Sequence, residues 1–378
     1  MENNIKVLQL LSSLEIGGAQ TLVKDILQNV NKKNNISCEL LAFKGGNLLN
    51  QKERYNFNYN ICQSTNFIRK FICLYRYIQQ RKINIIQVHT GINVLLVKII
   101  SFLIFRKLNI IRTYHGLEVN HSLKKRLIFL ICNKFNNLNH IFVSETTKQH
   151  FLQQFPFLIK RNTFVVHNGI DFKALEINSQ KTPNSIQPYL NKSLLLGGMV
   201  ANFNTPSKDH LTVCRALSQI IDYNSYIHFF FIGEKSEKKP ELYDKCYNYC
   251  EKNNLLNNIH FIGSQLNVGS ILQNFDFYIQ ASHSETFGIS VAEAMYFGLP
   301  CFLSNIPAFK EISDESKNAI FFEKNNPNDL LDKFQNYLGS KNRYYQNISK
   351  KASEYVQSNY NIKNHIENLE NIYKSCLK

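Results

Sequence analysis

Ser282-His283-Ser284-Glu285-Thr286-Phe287-Gly288-Ile289-Ser290-Val291-Ala292-Glu293-Ala294-Met295-Tyr296-Phe297-Gly298-Leu299-Pro300 reads as the junction of a strand and a helix. An apolar run, residues 277–280, leads into it, the chain turns through Gly288, and a helix opens beyond. The first N–H groups of a helix have no partner within it and lie at the positive end of its dipole, so this start can hold a phosphate. Two carboxylates flank the turn: Glu285 in the loop before it and Glu293 in the helix after it, with seven residues between them. Both can point toward one ligand while the backbone between them holds its anionic middle, which suits hydroxyl-rich groups on either side of a diphosphate. Plainer readings exist for each. Ser290 and Glu293 have the Ser-x-x-Glu spacing of a capping box, and Glu285 alone is an ordinary surface carboxylate.

Outward from this stretch, apolar β-branched runs alternate with longer amphipathic ones. Residues 6–11, 39–43, 85–89, 109–114, 140–144 and 164–167 read as strands with helices between most of them, the rhythm of a parallel sheet. The rhythm pauses over 173–192, where Asn, Ser, Gln, Lys and two prolines, Pro183 and Pro188, mark a linker. It resumes with strands at 194–200, 226–232, 259–262, 277–280, 301–304 and 319–323, and with helices such as 209–221 and 240–253. The expected architecture is α/β, with two Rossmann-like, doubly wound parallel-sheet domains facing across a cleft. Domain 1–172 precedes the linker and domain 193–355 follows it, with a C-terminal helix over 356–378 that packs back on the first domain. Open sheets of this kind bind ligands beyond the carboxyl ends of their strands.

The bulk properties agree. A chain of 378 residues with 44% hydrophobic residues fills about two domains of roughly 150 residues each. The N-terminus lacks the long apolar region and small-residue cleavage site of a secretory signal. Lys98, Arg106 and Lys107 interrupt the longest apolar region, 92–111, and disfavour a membrane span. Nine scattered cysteines without a Cys-x-x-Cys pair suggest neither a disulfide framework nor zinc, so a reducing cytoplasm is expected. Residues 1–170 hold 23 Lys and Arg against 7 Asp and Glu, an excess of sixteen that equals the net charge of the whole chain. The first half therefore suits an anionic partner, with dispersed solubilising charge as the bland alternative.

As a whole, the 282–300 stretch closely resembles the signature of retaining glycosyltransferases of the GT-B fold, in particular glycosyltransferase family 4. That family carries two glutamates separated by seven residues in this loop and helix, followed by Ala-Met-x-x-Gly-x-Pro, here Ala294 to Pro300. The resemblance implies that Glu285 and the backbone of Phe287, Gly288 and Ile289 contact the donor sugar and diphosphate. It implies that Glu293 accepts hydrogen bonds from ribose hydroxyls.

Other segments are similar to the family in the same order. Glu15-Ile16-Gly17-Gly18-Ala19-Gln20 looks like its glycine turn, where a glycine pair lets backbone approach a ligand. Thr113-Tyr114-His115-Gly116 looks like Thr-x-His-Gly, whose histidine lies near the reacting sugar; a lone histidine without that likeness is more often structural. His89, after Ile85-Ile86-Gln87-Val88, resembles the Val-His pair of the acceptor lobe, and Asn168-Gly169-Ile170-Asp171 resembles the segment ending the first lobe, where a hinge turn is expected. Gly198 to Lys208 resembles Gly-Arg-(x4)-Lys, whose cations neutralise the diphosphate. Here Asn202 stands in the arginine position and the loop to Lys208 is one residue longer, which leaves Lys208 as the cation, or as a solvated lysine at a helix start. Phe229 to Gly233 and His260 to Gly263-Ser264 are strand ends that by resemblance help form the nucleotide pocket; their glycines otherwise read as turns.

The resemblance implies transfer of a sugar from a UDP- or GDP-linked donor to a glycan or lipid-linked acceptor with retention, by front-face attack in which the departing phosphate takes the proton. Lys208, Glu285 and His115 are the expected catalytic group. No Asp-x-Asp motif is present, so neither a metal nor another cofactor is implied. Bacterial surface polysaccharide or glycolipid synthesis is the implied setting, in the cytoplasm. Basic clusters beside apolar stretches, Arg69-Lys70, Arg81-Lys82, Arg106-Lys107 and Lys124-Lys125-Arg126, suit docking on the inner membrane surface or, more plainly, solvated charges beside a core. The sheet rhythm alone also permits a nucleotide-dependent oxidoreductase, but the G-x-G-x-x-G spacing is missing. A non-catalytic nucleic-acid module lacks any zinc, helix-turn-helix or RNP-like signature, so no nucleic-acid partner is expected.

Overall fold

The computed structural model describes residues 5–377 apart from 16, 31–35, 48–57, 105–106, 118–122, 135–137, 178–182, 191–192, 222–223, 266 and 340–342. The chain divides into two units, Met1–Ile170 with Ile362–Lys378, and Asp171–Asn361.

The first unit is built on seven strands, β1 (Ile5–Leu11), β2 (Ile36–Ala42), β3 (Tyr59–Ile61), β4 (Ile85–Val88), β5 (Asn109–Tyr114), β6 (Leu138–Phe142) and β7 (Thr163–Val165). They pair in parallel in the order β3-β2-β1-β4-β5-β6-β7. Sequence order reverses between β1 and β4, so the loops leaving those strands diverge and open a crevice at their carboxyl ends. Helices α1 (Gly18–Val30), α2 (Phe67–Arg81), α3 (Gly91–Leu103), α4 (Leu123–Lys134) and α5 (Glu145–Gln154) connect them. Their starts follow local chemistry: Asn66 Oδ1 accepts from the N–H groups of Ile68 and Arg69 at α2, and Ser144 Oγ accepts from that of Thr147 at α5. The central strands β4 and β5 are buried along their whole length and mostly apolar, as a parallel sheet covered by helices on both faces requires.

The second unit repeats the design with six strands, β8 (Leu195–Val200), β9 (Ile227–Ile232), β10 (Ile259–Phe261), β11 (Phe277–Gln280), β12 (Cys301–Ser304) and β13 (Ile320–Phe322), in the parallel order β10-β9-β8-β11-β12-β13. The switch lies between β8 and β11. Its helices are α6 (Phe172–Ile177), α7 (His210–Ile221), α8 (Glu241–Lys252), α9 (Gly269–Leu272), α10 (Ile289–Tyr296), α11 (Pro307–Ile312), α12 (Pro327–Gly339) and α13 (Arg343–Asn359).

The chain then returns. α14 (Ile362–Leu377) buries Ile362, His365, Ile366, Leu369, Ile372 and Tyr373, a helical stripe that joins the core of the first unit beside α1. Gly169 allows this: a Cβ there would lie 2.5 Å from the His365 Cβ and 2.9 Å from the Ile362 Cα. Ile362 N–H donates to Ile170 O at 3.0 Å. The Asn-Gly pair read as a hinge turn therefore supplies a packing surface for α14.

The boundaries differ from the sequence reading in two places. The second unit begins at Asp171 rather than at 193, because the expected linker contains α6, which packs on α9, and a 3-10 turn over Gln187–Tyr189. The last segment is no single helix over 356–378: α13 runs to Asn359 and the change of unit falls between Asn361 and Ile362. Strand β3, three residues of mixed polarity at the sheet edge, has too little apolar pattern to be read in advance.

Candidate active site

In the second unit, the loops leaving β8 and β11 are stitched together by backbone. Lys208 and Ser282 form an isolated antiparallel bridge, Asp209 N–H donates to Ala281 O at 3.0 Å, and His283 N–H donates to Ser207 O at 2.8 Å. The stitching sets the Lys208 ammonium against the Glu285 carboxylate, where they form an ion pair, and Ser282 Oγ donates to the same carboxylate oxygen at 3.0 Å. The two side chains are 22% and 13% exposed, so the pair is partly shielded and its charges are held close to where the loops end. Neither the distance in sequence nor any local motif joins Lys208 to Glu285; the switch point between β8 and β11 does.

Gly288 caps α10 in the left-handed region at φ +106°, which only glycine adopts without strain, and a Cβ there would also stand 3.1 Å from the Phe309 ring. Val291 and Ala292 N–H groups already return to Gly288 O. Ser290 is therefore inside the first turn and not at the N-cap, which removes the capping-box reading of Ser290 and Glu293. Glu293 sits half-buried farther along α10. Burial, with Cys301 and the Glu293 carboxylate adding to it, pushes the Tyr278 hydroxyl far above its usual range. Phe287 is buried edge-on against Tyr360, so the loop presents its backbone rather than its ring.

Asn202 has a task of its own: its Oδ1 accepts from Glu234 N–H at 2.8 Å and ties the loop after β8 to the loop after β9. Gly233 must be glycine for this approach, since a Cβ would lie 2.0 Å from Ala201 O, and its N–H donates to Gly263 O at 3.0 Å. Gly263 holds φ +69° and Ser264 beside it is exposed. The residues after β8, β9, β10 and β11 thus share one edge of the sheet. His210, which the sequence reading passed over, stacks on Phe203 at 3.8 Å and meets Ala201 O through Nε2 at 3.1 Å; burial lowers its pKa to about 4.

The first unit holds a second cluster at its own switch point. His89 follows β4 and His115 follows β5; His89 Nδ1 and His115 Nε2 are 2.8 Å apart and the rings stack at 5.0 Å. His89 Nε2 lies 2.7 Å from Gln9 Oε1 in β1. Burial, then the neighbouring His115 and His365, holds His89 well below its ordinary pKa, and burial with His365 lowers His115 to about 4. Both rings are neutral at pH 7. Ser12, Thr90 and Asn93 form a smaller polar group at the same strand ends, with Ser12 Oγ 3.0 Å from Thr90 Oγ1 and Asn93 Nδ2 donating to Thr90 Oγ1 at 2.8 Å. Gly17 precedes α1 and Gly18 opens it; a Cβ on Gly17 would meet only the mobile amide end of Gln20, at 2.9 Å, so internal packing does not demand glycine there.

The expected residues fall into these two groups. His115, Gly17 and Gly18 belong to the first unit, whereas Lys208, Asn202, Gly233, Ser264, Glu285, Phe287, Gly288, Ile289 and Glu293 belong to the second. Sequence reasoning missed Gln9, Gln87 and Tyr373, which hydrogen-bond behind the histidines; glutamines inside the apolar strands Ile5–Leu11 and Ile85–Val88 were the available signal. Among the described residues, no group of three or more His, Cys, Asp or Glu is placed to hold a metal ion. A cavity of about 720 Å³ in the second unit, lined by Tyr226, Asp276, Tyr337 and Tyr345, opens near the opposite, amino ends of the strands.

Comparison with known proteins agrees with this geometry. Residues 16–174 match the family described as Glycosyltransferase Family 4, and residues 190–355 match Glycosyl transferases group 1. The O-antigen biosynthesis glycosyltransferase WclY of Escherichia coli is 24% identical over 282 residues, 72% of this chain and 73% of the relative. Among solved structures, a glycosyltransferase from Rickettsia africae ESF-5 superposes with a TM-score of 0.82 at 16% identity, covering 99% of each chain. Anabaena Alr3699/HepE in complex with UDP and glucose superposes with a TM-score of 0.82 at 17% identity, covering 98% of this chain and 100% of that one.

Proposed function

This chain belongs to the GT-B glycosyltransferases of the family 4 type, and from that premise we propose that it transfers a sugar from a nucleoside-diphosphate donor to an acceptor hydroxyl with retention of configuration and without a metal. The observation that carries the proposal is the Lys208–Glu285 pair set beside the glycine-capped start of α10. A donor diphosphate competes with Glu285 for the Lys208 ammonium while the first N–H groups of α10 receive phosphate oxygens. Glu285 is then released to accept from sugar hydroxyls, and Glu293 accepts from ribose hydroxyls.

The reaction breaks the bond between the anomeric carbon and the phosphate oxygen and forms one to the acceptor oxygen on the same face. The acceptor proton passes to the departing phosphate. Lys208 and the helix start stabilise the negative charge that grows on the diphosphate. With attack on the face the phosphate leaves and that phosphate taking the proton, no covalent carboxylate nucleophile is required of Glu285. The resemblance at Thr113 to Gly116 supports a role for His115 toward the reacting sugar.

UDP-glucose is the first donor to try, since the Anabaena structure of this fold holds UDP and glucose. The test is incubation with a panel of UDP- and GDP-sugars and determination of product anomeric configuration by NMR. Inversion, or no turnover with any donor while NAD(P) binds, would refute the reading.

The WclY relative supports a glycan acceptor in surface-polysaccharide synthesis, and the first unit supports a lipid-linked one. Residues 61–134 carry thirteen basic side chains and one acidic one. On the outer side of the adjacent helices α3 and α4, Ile99, Phe102, Leu103, Leu127, Leu130 and Ile131 are exposed, Phe102 to 67%. Arg69, Arg81, Lys82 and Lys107 are exposed on the same unit, while Arg106 and the side chains of Lys124, Lys125 and Arg126 lie outside the described residues. Apolar side chains among cations, of which Arg81 is ion-paired with Glu39 at 3.7 Å, suit an anionic lipid surface, each cation near it being worth about 1 kcal/mol. No helix among the described residues is long and apolar enough to cross a membrane. Co-sedimentation should be strong with anionic vesicles at low salt and weak with neutral ones; equal, negligible binding to both rules docking out.

A further inference from the structure

The histidine pair of the first unit is connected to the last helix of the chain by a continuous line of side chains. Gln9 in β1 and Gln87 in β4 are register partners, and Tyr373 of α14 reaches both. Gln87 Nε2 donates to Thr113 Oγ1 at 2.8 Å; the Tyr373 hydroxyl donates to Gln87 Oε1; Gln9 Nε2 donates to the Tyr373 oxygen at 3.2 Å and toward Gln87 Oε1 at 3.3 Å. That leaves Gln9 Oε1 as the acceptor for His89 Nε2–H at 2.7 Å, so His89 Nδ1 carries a lone pair and must receive the hydrogen of His115 Nε2 at 2.8 Å.

From this geometry we infer that Tyr373 is a positioning residue that sets the tautomer of His115 through Gln9 and His89. A phenol has one hydrogen. Once it is given to Gln87, the tyrosine oxygen can only accept from Gln9, and every bond beyond runs in one sense. The opposite sense requires both glutamines to turn over together and moves the hydrogen of His115 to Nδ1. The line is therefore all-or-none, and the burial of Gln9, Gln87, His89 and Tyr373 makes a mismatched pair of acceptors or donors within it costly. Both histidines are neutral, as a wire of single hydrogens needs, because burial lowers them. In the sense the structure records, His115 Nδ1 is an acceptor. On the proposed transferase reading, a sugar hydroxyl is the donor it is tuned for.

The test is ¹⁵N NMR of histidine-labelled protein at neutral pH, reading which ring nitrogen bears the hydrogen, together with transfer kinetics. In the unsubstituted protein His89 and His115 should both be protonated on Nε2, a measurement that depends on no variant folding. In Tyr373→Phe the two rings should lose that single state and show mixed tautomers, while His140, bonded to Tyr114 outside the line, keeps its signals. The kcat for transfer should fall about tenfold with donor KM within twofold. His115 protonated on Nδ1 in the unsubstituted protein, or a tautomer unmoved by Tyr373→Phe, overturns the inference. A tautomer that changes while transfer does not supports the wire and counts instead against a sugar-side role for His115.

Discussion

The two units are built on the same parallel-sheet plan, yet their switch points are furnished in opposite ways. In the first, the loops after β1, β4 and β5 converge on neutral imidazoles backed by buried amides and a phenol; in the second, the loops after β8 and β11 bring a cation and a carboxylate together beside a helix start. Burial removes charge from the first site, since desolvation dominates the histidine pKa values, whereas partial exposure lets the second retain it. One site offers directed hydrogens and the other a local field. On the proposed transferase reading, a neutral sugar and an anionic diphosphate call for these two different solvents, and one fold supplies both by changing what stands after the strands.

The largest expected effect that sharpens this contrast is on stability in acid. Burial is the first cause that lowers His115 and His365 to about 4 and His140 to about 3 in the folded first unit, against an ordinary 6.5. Above pH 6.5 these rings are neutral whether the chain is folded or not, so nothing is lost. As pH falls through 6.5 the unfolded chain takes up protons that the folded unit refuses, and each histidine removes up to about 1.4 kcal/mol per pH unit until its folded value is reached. Calorimetry from pH 7.5 to 5 should show the melting temperature dropping by roughly 10 °C; a transition that stays put breaks the comparison.

Lys208→Ala should slow transfer about a hundredfold, the usual cost of losing one charge stabiliser, while melting within a few degrees of the parent because the pair is partly exposed. An unchanged rate removes Lys208 from the site. Gly169→Ala strikes the other unit: its Cβ would overlap the α14 backbone and His365, and should cost about 1–3 kcal/mol in denaturant unfolding. Normal stability in that variant would show that α14 does not dock as described. Glu293→Gln should weaken nucleoside-diphosphate binding about tenfold in calorimetric titration. Because Gly288 and not Ser290 caps α10, its melting temperature should not move; a lower one with intact affinity returns Glu293 to a helix-stabilising role. The smallest effect is none at all: turnover in EDTA should equal turnover without it, and recovery of lost activity by Mg²⁺ or Mn²⁺ contradicts the metal-free reading.

Much of this was legible locally. The turn at Gly288, the start of α10 and the loop position of Glu285 follow from glycine's access to positive φ and from the apolar run ahead of it, both properties of neighbouring residues. Alternating strand and helix patterns likewise announced two parallel sheets, because covered strands must be apolar on both faces. Gly169 was legible as the glycine that ends the first unit, where the chain passes to the second after Ile170, but not as the seat of α14, since the helix that needs its missing side chain comes nearly two hundred residues later.

By itself, then, the sequence determined most of the elements, their parallel class and the glycine turn and helix start of the 282–300 loop, because each of these depends on periodicity or backbone freedom within a few residues. Only the tertiary structure decided that Lys208 meets Glu285, that Asn202 holds the β9 loop, and that Tyr373 stands behind His89. Those partners are 77, 32 and 284 residues apart. Strand order and the return of α14 bring them together, and contacts made by packing whole elements leave no local pattern to read.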